Sequence, residues 1–121
     1  MRAGLVSISA VTFLVADMAE SVGFYSSLGF GLLFGGAEAA FSTFAIGSGY
    51  LNLQAQEGTR GEARSWGRVV IWVSDVDEMF RTARRAGWKT ETEPADAPWG
   101  ERYFHIRDPD GNELSFARPI S

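Results

Sequence analysis

The sequence of 121 residues contains no cysteine and only one histidine, His105. The absence of cysteine excludes disulfides, thiol catalysis and thiolate metal sites, and it fits a cytoplasmic protein. Positive charge is also scarce, since 11 Lys and Arg residues stand against 15 Asp and Glu residues, for a net charge of −4. A surface that binds nucleic acid or an anionic membrane needs clustered basic residues. We therefore expect neither partner.

Apolar residues are plentiful at 45% of the chain, and aromatic residues make up 13%, which is enough to bury the core of one domain. The chain also repeats itself. Residues 11–30 (VTFLVADMAESVGFYSSLGF) resemble residues 69–88 (VVIWVSDVDEMFRTARRAGW) at one constant offset. Each copy reads as a strand followed by a helix, so the repeat predicts two similar units.

The ends of both predicted helices carry matching signals. Asp17 and Asp75 precede the two amphipathic stretches and are typical helix N-caps. Gly29 and Gly87 follow them and suit the left-handed conformation that ends many helices. The two helices are thus predicted at equivalent places in the repeat.

Strand-like stretches follow each helix. They lie at residues 30–34, 39–46 and 50–54 in the first half, and at residues 89–93, 102–107 and 112–117 in the second. We predict an α+β fold of two βαβββ modules, at about 5–55 and 67–119, with a polar linker at about 56–66. Together they form a single domain, 1–121. Each mixed, curved sheet would carry its helix on the outside, and the other sheet faces would form a cleft.

The last two predicted strands are joined by Asp108-Pro109-Asp110-Gly111, which is strong turn chemistry. The paired modules, the stretch VADMAESVGFYSSLGF and the terminal RDPDGNELSF resemble the vicinal oxygen chelate superfamily. That superfamily holds glyoxalase I, extradiol dioxygenases, fosfomycin resistance enzymes and bleomycin resistance proteins. A Pro-Trp-Gly shortly before the final hairpin, in PWGERYFHIRDPDGNELSF, is most similar to the bleomycin resistance branch.

The resemblance also implies where a metal would bind. Metal-dependent members use His on the first strand, Glu on the fourth, His on the fifth and Glu on the eighth. The corresponding residues of this chain are Ala10, Asn52, Arg68 and Ser115. None is a strong ligand for a divalent ion, and Arg68 places a permanent positive charge there. We therefore expect no metal and no cofactor.

Strand alternation indicates which side chains face the predicted cleft. Arg68 and Trp72 share one face of the fifth strand, and Glu113 and Ser115 share one face of the last. The candidate ligand-binding residues are Trp72, Trp99, Arg68, Asn52, Ser115, Glu113, His105, Phe34, Phe41 and Trp66.

Several of these residues have a plainer interpretation. Trp72 lies among β-branched neighbours and suits a core as well as a pocket, and Trp99 suits either a stacking wall or a hydrophobic plug. Trp66 suits a lid or a dimer contact. Phe34 and Phe41 lie on predicted strands, where aromatic residues more often fill the core. The lone histidine is more often a structural residue than a ligand contact.

The leading hypothesis is a metal-independent binding protein that sequesters an aromatic or amphipathic small molecule, such as a natural-product antibiotic. The resemblance also implies a homodimer whose clefts draw on both chains. The alternative is a metal-independent enzyme of natural-product metabolism, with Glu113 or His105 as general acid or base and Arg68 steadying an oxyanion. A structural or interaction module without a small ligand is a third possibility.

Overall fold

The computed structural model describes residues 3–58 and 67–120. Within these ranges ten elements follow one another: β1 (Ala10–Val15), α1 (Met18–Ser27), β2 (Gly31–Phe34), β3 (Phe41–Ile46), β4 (Gly49–Ala55), β5 (Arg68–Trp72), α2 (Val76–Arg85), β6 (Ala95–Asp96), β7 (Glu101–Arg107) and β8 (Glu113–Pro119). Across the described ranges, no helix is long and apolar enough to span a lipid bilayer.

The strands form two four-stranded mixed sheets with the same topology. The first sheet has the order β1-β4-β3-β2, and the second has the order β5-β8-β7-β6. In each sheet the first strand runs parallel to its neighbour, β1 to β4 and β5 to β8, and the other pairings are antiparallel. The predicted α+β fold of two βαβββ modules is confirmed.

The helix boundaries follow the predicted local signals. The side chain of Asp17 accepts a hydrogen bond from the Glu20 amide at 3.1 Å, and Asp75 does the same for Glu78 at 3.0 Å. These carboxylates satisfy amides that have no partner within a helix. After the helices, Gly29 has a φ of 94° and Gly87 a φ of 92°, in the left-handed region that glycine tolerates.

One hydrophobic core runs through both modules on the helix side of the sheets. Phe30 of the first module contacts Phe116 of the second with ring centroids 6.2 Å apart, and Phe24 of α1 lies edge-on to Trp88 at 4.9 Å. The opposite faces of both sheets are therefore turned away from this shared core. We call them the first outer face and the second outer face.

A short polar cluster also joins the modules. The Tyr25 hydroxyl donates to Asp108 Oδ2 at 2.7 Å, and the Ala16 amide donates to Asp110 Oδ1 at 2.9 Å. Both aspartates belong to the turn between β7 and β8, so the terminal hairpin holds the start of α1. Burial raises the pKa of Asp108, and the hydrogen bonds from Asn112 and Tyr25 oppose that rise.

The predicted strand at residues 89–93 is wrong. Only Thr90 pairs there, with Ile106, and the edge strand β6 comes later. The amides of Glu91 and Thr92 both point at the His105 carbonyl, at 2.9 and 3.4 Å, while the Thr92 hydroxyl accepts from the His105 amide at 3.0 Å. The following Pro94 has no N–H to continue a ladder, so this edge is irregular.

Candidate functional site

The second outer face is built by strand alternation and register. On β5, Val69 and Ile71 point to the core, which leaves Arg68, Val70 and Trp72 on the other side. Cross-strand pairing then fixes their neighbours row by row. The rows are Arg68, Glu113 and Arg107; Val70, Ser115 and His105; and Trp72, Ala117 and Tyr103, with Glu101 beyond them on β7.

One end of this face is an aromatic cluster around a single carboxylate. The Trp72 indole N–H donates to Glu101 Oε2 at 3.0 Å, and the Trp99 indole N–H donates to Oε1 at 3.0 Å. Trp99 also stacks on Tyr103, with ring centroids 6.0 Å apart and planes at 24°. Trp72 is 66% exposed and Trp99 is 70% exposed, so neither side chain belongs to the core. We call Trp72, Trp99, Glu101 and Tyr103 the Glu101 cluster.

Two members of the Glu101 cluster were missing from the predicted site. Glu101 and Tyr103 alternate along β7 with Phe104 and Ile106, which are buried in the core. Glu101 and Tyr103 share the outer side of β7 with His105, because every second residue of a strand faces the same side. The signal was therefore present in the sequence. The hydrogen bonds that Glu101 accepts from two separate indoles were not, because Trp72 lies 29 positions away on β5.

The other end of the face is an ion-pair network. Arg68 Nε lies 2.6 Å from Glu113 Oε1, and Arg107 lies 3.4 Å from Glu113 Oε2 and 3.0 Å from Glu91. The Glu113 side chain is only 15% exposed. Its negative charge is thus matched by two guanidinium groups, those of Arg68 and Arg107.

His105 lies between the two ends of the face. Its ring is 5.0 Å from the Tyr103 ring, and its Nδ1 is buried with no hydrogen-bond partner among the described residues. Burial, and next the positive charge of Arg68, lower the pKa of His105. Both effects favour the neutral form of the imidazole. The neighbouring Ser115 is buried on β8.

The first outer face is uncharged by comparison. The Thr43 hydroxyl donates to Asn52 Oδ1 at 2.8 Å, and Asn52 Nδ2 donates to the Thr12 hydroxyl at 3.2 Å. Phe34 pairs with Thr43 in register and extends this row, and Phe41 lies one row further along. Phe34 is 64% exposed and is not a core residue. The remaining predicted residue, Trp66, lies outside the described residues.

Residues 7–116 match the Glyoxalase/Bleomycin resistance protein/Dioxygenase superfamily. The chain belongs to this superfamily. It is 31% identical over 123 residues to the uncharacterized protein YraH of Bacillus subtilis (strain 168), which covers 91% of this chain and 96% of YraH.

Solved structures of the superfamily have the same fold. A bleomycin resistance determinant encoded on the transposon Tn5 matches with a TM-score of 0.76 at 22% identity, over 96% of this chain and 100% of that chain. Lactoylglutathione lyase from Agrobacterium tumefaciens matches with a TM-score of 0.72 at 21% identity, over 94% of both chains. At these identities the likeness shows the fold alone. Resistance determinants and enzymes thus share the scaffold, and the site must decide between them.

The residues at the superfamily's usual metal positions do not fit a divalent ion. Arg68 brings a cation that is already paired with Glu113, and Asn52 is engaged by two threonines. Ala10 has no donor atom, and Ser115 offers only a hydroxyl. Within residues 3–58 and 67–120, no group of three or more His, Asp or Glu side chains is arranged to hold a metal. The site's own chemistry is therefore aromatic stacking, hydrogen bonding and fixed charge.

Proposed function

We propose that this protein binds an aromatic or amphipathic small molecule on the second outer face, without a metal, and withholds that molecule from its target. The observation that carries the proposal is the Glu101 cluster, in which one carboxylate positions two exposed indoles beside a stacked tyrosine. Large exposed aromatic side chains in a fixed arrangement are typical of binding surfaces.

The cluster suits binding because its order is built in before any ligand arrives. Each indole is tethered through its N–H, so Trp72 and Trp99 lose less rotamer freedom on binding than untethered side chains would. Their ring faces are left for stacking. A flat apolar ligand would gain contact area from both indoles, and the gain needs no chemical step.

A natural-product antibiotic is the ligand class that we favour, and protection from it is the role. The support is the superfamily itself, in which a Tn5 bleomycin resistance determinant has this fold, together with the Pro-Trp-Gly loop that holds Trp99. The absence of cysteine supports a cytoplasmic location.

We also propose that two copies form a C₂ dimer and share their clefts. The helix-side faces of both sheets pack in the shared core, so each outer face is available to contact a second chain. A first outer face from one chain would then close over a second outer face of its partner. We expect sedimentation to give about twice the 13.2 kDa of one chain. A monomer alone at micromolar concentration would contradict the shared cleft.

Tryptophan fluorescence tests the binding proposal directly. Peptide, polyketide and quinone antibiotics are the probes, and a ligand that stacks on the Glu101 cluster should quench the emission. Trp72→Ala and Trp99→Ala should each weaken binding by about 1–3 kcal/mol, as expected for an aromatic anchor. Trp88→Phe is the matched control, because Trp88 packs on the core side against Phe24. Equal affinity in all variants would refute a role for the cluster.

A metal-independent enzyme is the second candidate. The observation that favours it is His105, whose Nδ1 has no hydrogen-bond partner among the described residues and whose lowered pKa favours the neutral form that can accept a proton. Glu113 is the other candidate acid or base, and Arg68 would steady an oxyanion. Mass spectrometry of each probe after long incubation separates the two functions. A converted product that disappears in His105→Ala or Glu113→Gln would establish the enzyme instead of the binder.

A further inference from the structure

The charge on Glu101 is unusual for this face. Both of its oxygens accept hydrogen bonds from indoles, which are neutral donors and leave the negative charge in place. Among the described residues, no Arg, Lys or His side chain forms an ion pair with Glu101. Glu113, on the same face, is instead matched by two arginines.

The arginines closest in the chain point to the other side of the sheet. Arg102 follows Glu101 directly and is bound to Asp77 and Asp96, each at 2.9 Å. Arg118 pairs with Arg102 in register and donates to the Ser74 carbonyl. Strand alternation thus keeps both guanidinium groups away from Glu101. In the part of the chain that the structure describes, the Glu101 carboxylate therefore has no cationic partner at the exposed aromatic end of the face.

Two indole rings bind this carboxylate, and the Tyr103 ring stacks on one of them. An aromatic ring attracts a positive charge placed over its face, and tryptophan does so most strongly. The indole N–H groups of Trp72 and Trp99 are directed at Glu101, so the ring faces remain accessible, and Trp99 is backed by Tyr103. A cation at this site would be attracted both by the ring faces and by the negative charge of Glu101.

We propose that the Glu101 cluster recognises an organic ammonium or guanidinium group, so that the ligand is an aromatic or amphipathic cation. This inference rests on the proposed function, because it assigns a ligand class to the same surface. A metal ion does not suit the cluster, since a divalent ion requires several oxygen or nitrogen ligands and the cluster offers one carboxylate. The net charge of −4 also favours the approach of cations.

The position of the charges along β5 also gives the ligand an orientation. Arg68 and Trp72 lie four residues apart on one strand, which corresponds to about 13 Å. At the Arg68 end the carboxylates of Glu113 and Glu91 are already paired with arginines, whereas the hydrogen-bond partners of Glu101 are neutral indoles, so a cation is attracted to the Glu101 end. The positive group of the ligand therefore lies at the Trp72 end, with its apolar part directed towards His105.

A pair of probes of equal shape tests the inference. Phenyltrimethylammonium carries the positive charge, and tert-butylbenzene is its neutral isostere. Binding to the full chain is followed by the indole N–H resonances of Trp72 and Trp99 in ¹⁵N–¹H spectra. We expect the cation to bind about tenfold more tightly than the isostere, as cation–π contacts with a nearby carboxylate allow.

Charge-neutral variants complete the test. Glu101→Gln should abolish the preference for the cation, and Glu38→Gln, which removes the same charge from an exposed loop of the first module, should retain it. Continued binding of tert-butylbenzene by Glu101→Gln would show that the aromatic surface is intact.

The outcomes are distinguishable. Equal binding of both probes by the unmodified chain would overturn the cation inference and leave the proposed function standing. A preference that survives in Glu101→Gln would also overturn the inference. If neither probe shifts the two indole resonances, both the inference and the proposed binding surface fail.

Discussion

The two modules have the same order of elements. Their residues correspond closely on the helix side of the sheets and poorly on the outer side. On the helix side, equivalent positions are buried in both copies, as in Phe13 and Ile71 or Met18 and Val76. On the outer side, Ala10 corresponds to Arg68 and Leu14 to Trp72. Packing restricts what a core position accepts, whereas an outer face is free to change. The repeat is thus kept where it holds the fold and lost where ligands would bind.

The edges of the two sheets differ as well. A substitution at one edge should give the largest change in the free energy of unfolding. Gly35 follows β2 with a φ of +84°, and an added Cβ would lie 2.8 Å from the Ser42 Cα. The equivalent position in the second module is Glu93, which is exposed on the irregular edge. We expect Gly35→Ala to lower the free energy of unfolding by about 2–4 kcal/mol, because strain and overlap add.

Urea unfolding of the two variants measures this difference. Glu93→Ala should change the free energy of unfolding by less than about 0.5 kcal/mol, as surface substitutions usually do. A similar loss in both variants would mean that the two edges are equally constrained, which would break the comparison.

The two helices also differ in how they contact the other module. Tyr25 of α1 donates to Asp108, whereas the equivalent residue of α2 is Ala83, which is buried in the core. Tyr25→Phe removes one donor from a buried carboxylate and should cost about 1–3 kcal/mol at neutral pH.

The pH dependence of this cost has a definite sign. Asp108 has a raised pKa in the folded protein, and removing the Tyr25 hydroxyl should raise it further. A raised pKa contributes stability that is present below the ordinary value of 3.8 and is lost as the pH rises through the folded value. The cost of Tyr25→Phe should therefore be full at neutral pH and shrink on acidification. Thermal unfolding from pH 7 down to pH 4 measures it, and a cost that grows on acidification would contradict this assignment.

The two outer faces differ in charge, and this difference should give the smallest effect, a shift in the pKa of His105. Arg68 lowers the pKa of His105, while Glu113 opposes it. Replacing Arg68 by Ala should therefore raise the pKa of His105, and an NMR titration of the imidazole measures the shift. Arg118→Ala, on the core side of the same sheet, is the control and should leave this pKa unchanged. An unaltered titration in Arg68→Ala would show that the two residues do not interact.

The features that could be predicted from the sequence were mostly local ones. Asp17 and Asp75 cap the helices through hydrogen bonds that span three residues. Gly29 and Gly87 end the helices because glycine tolerates the positive φ at those positions. Alternation along β5 correctly turned Trp72 outward. Such signals are contained in short windows and need no knowledge of the tertiary structure.

The remaining features depend on distant parts of the chain. The strand expected at residues 89–93 was lost because the Thr92 side chain replaces a backbone partner of His105. The exposed position of Phe34 depends on a bulge in β2, and strand aromatics ordinarily suit a core. The bond from Trp72 to Glu101 joins β5 to β7 across 29 positions of the chain. No short window of sequence contains these relations.

The bond between Tyr25 and Asp108 has a consequence for synthesis on the ribosome. The two residues are 83 positions apart, and Ala16 and Asp110 are 94 apart. At translation rates of about 5–20 residues per second, α1 emerges several seconds before the turn that receives its hydroxyl. During that interval the nascent first half lacks the partner for its most buried phenol and leaves part of its apolar helix surface uncovered. A chain that ends before residue 108 would therefore contain every residue of the first module and still lack the aspartates that bind Tyr25 and the Ala16 amide.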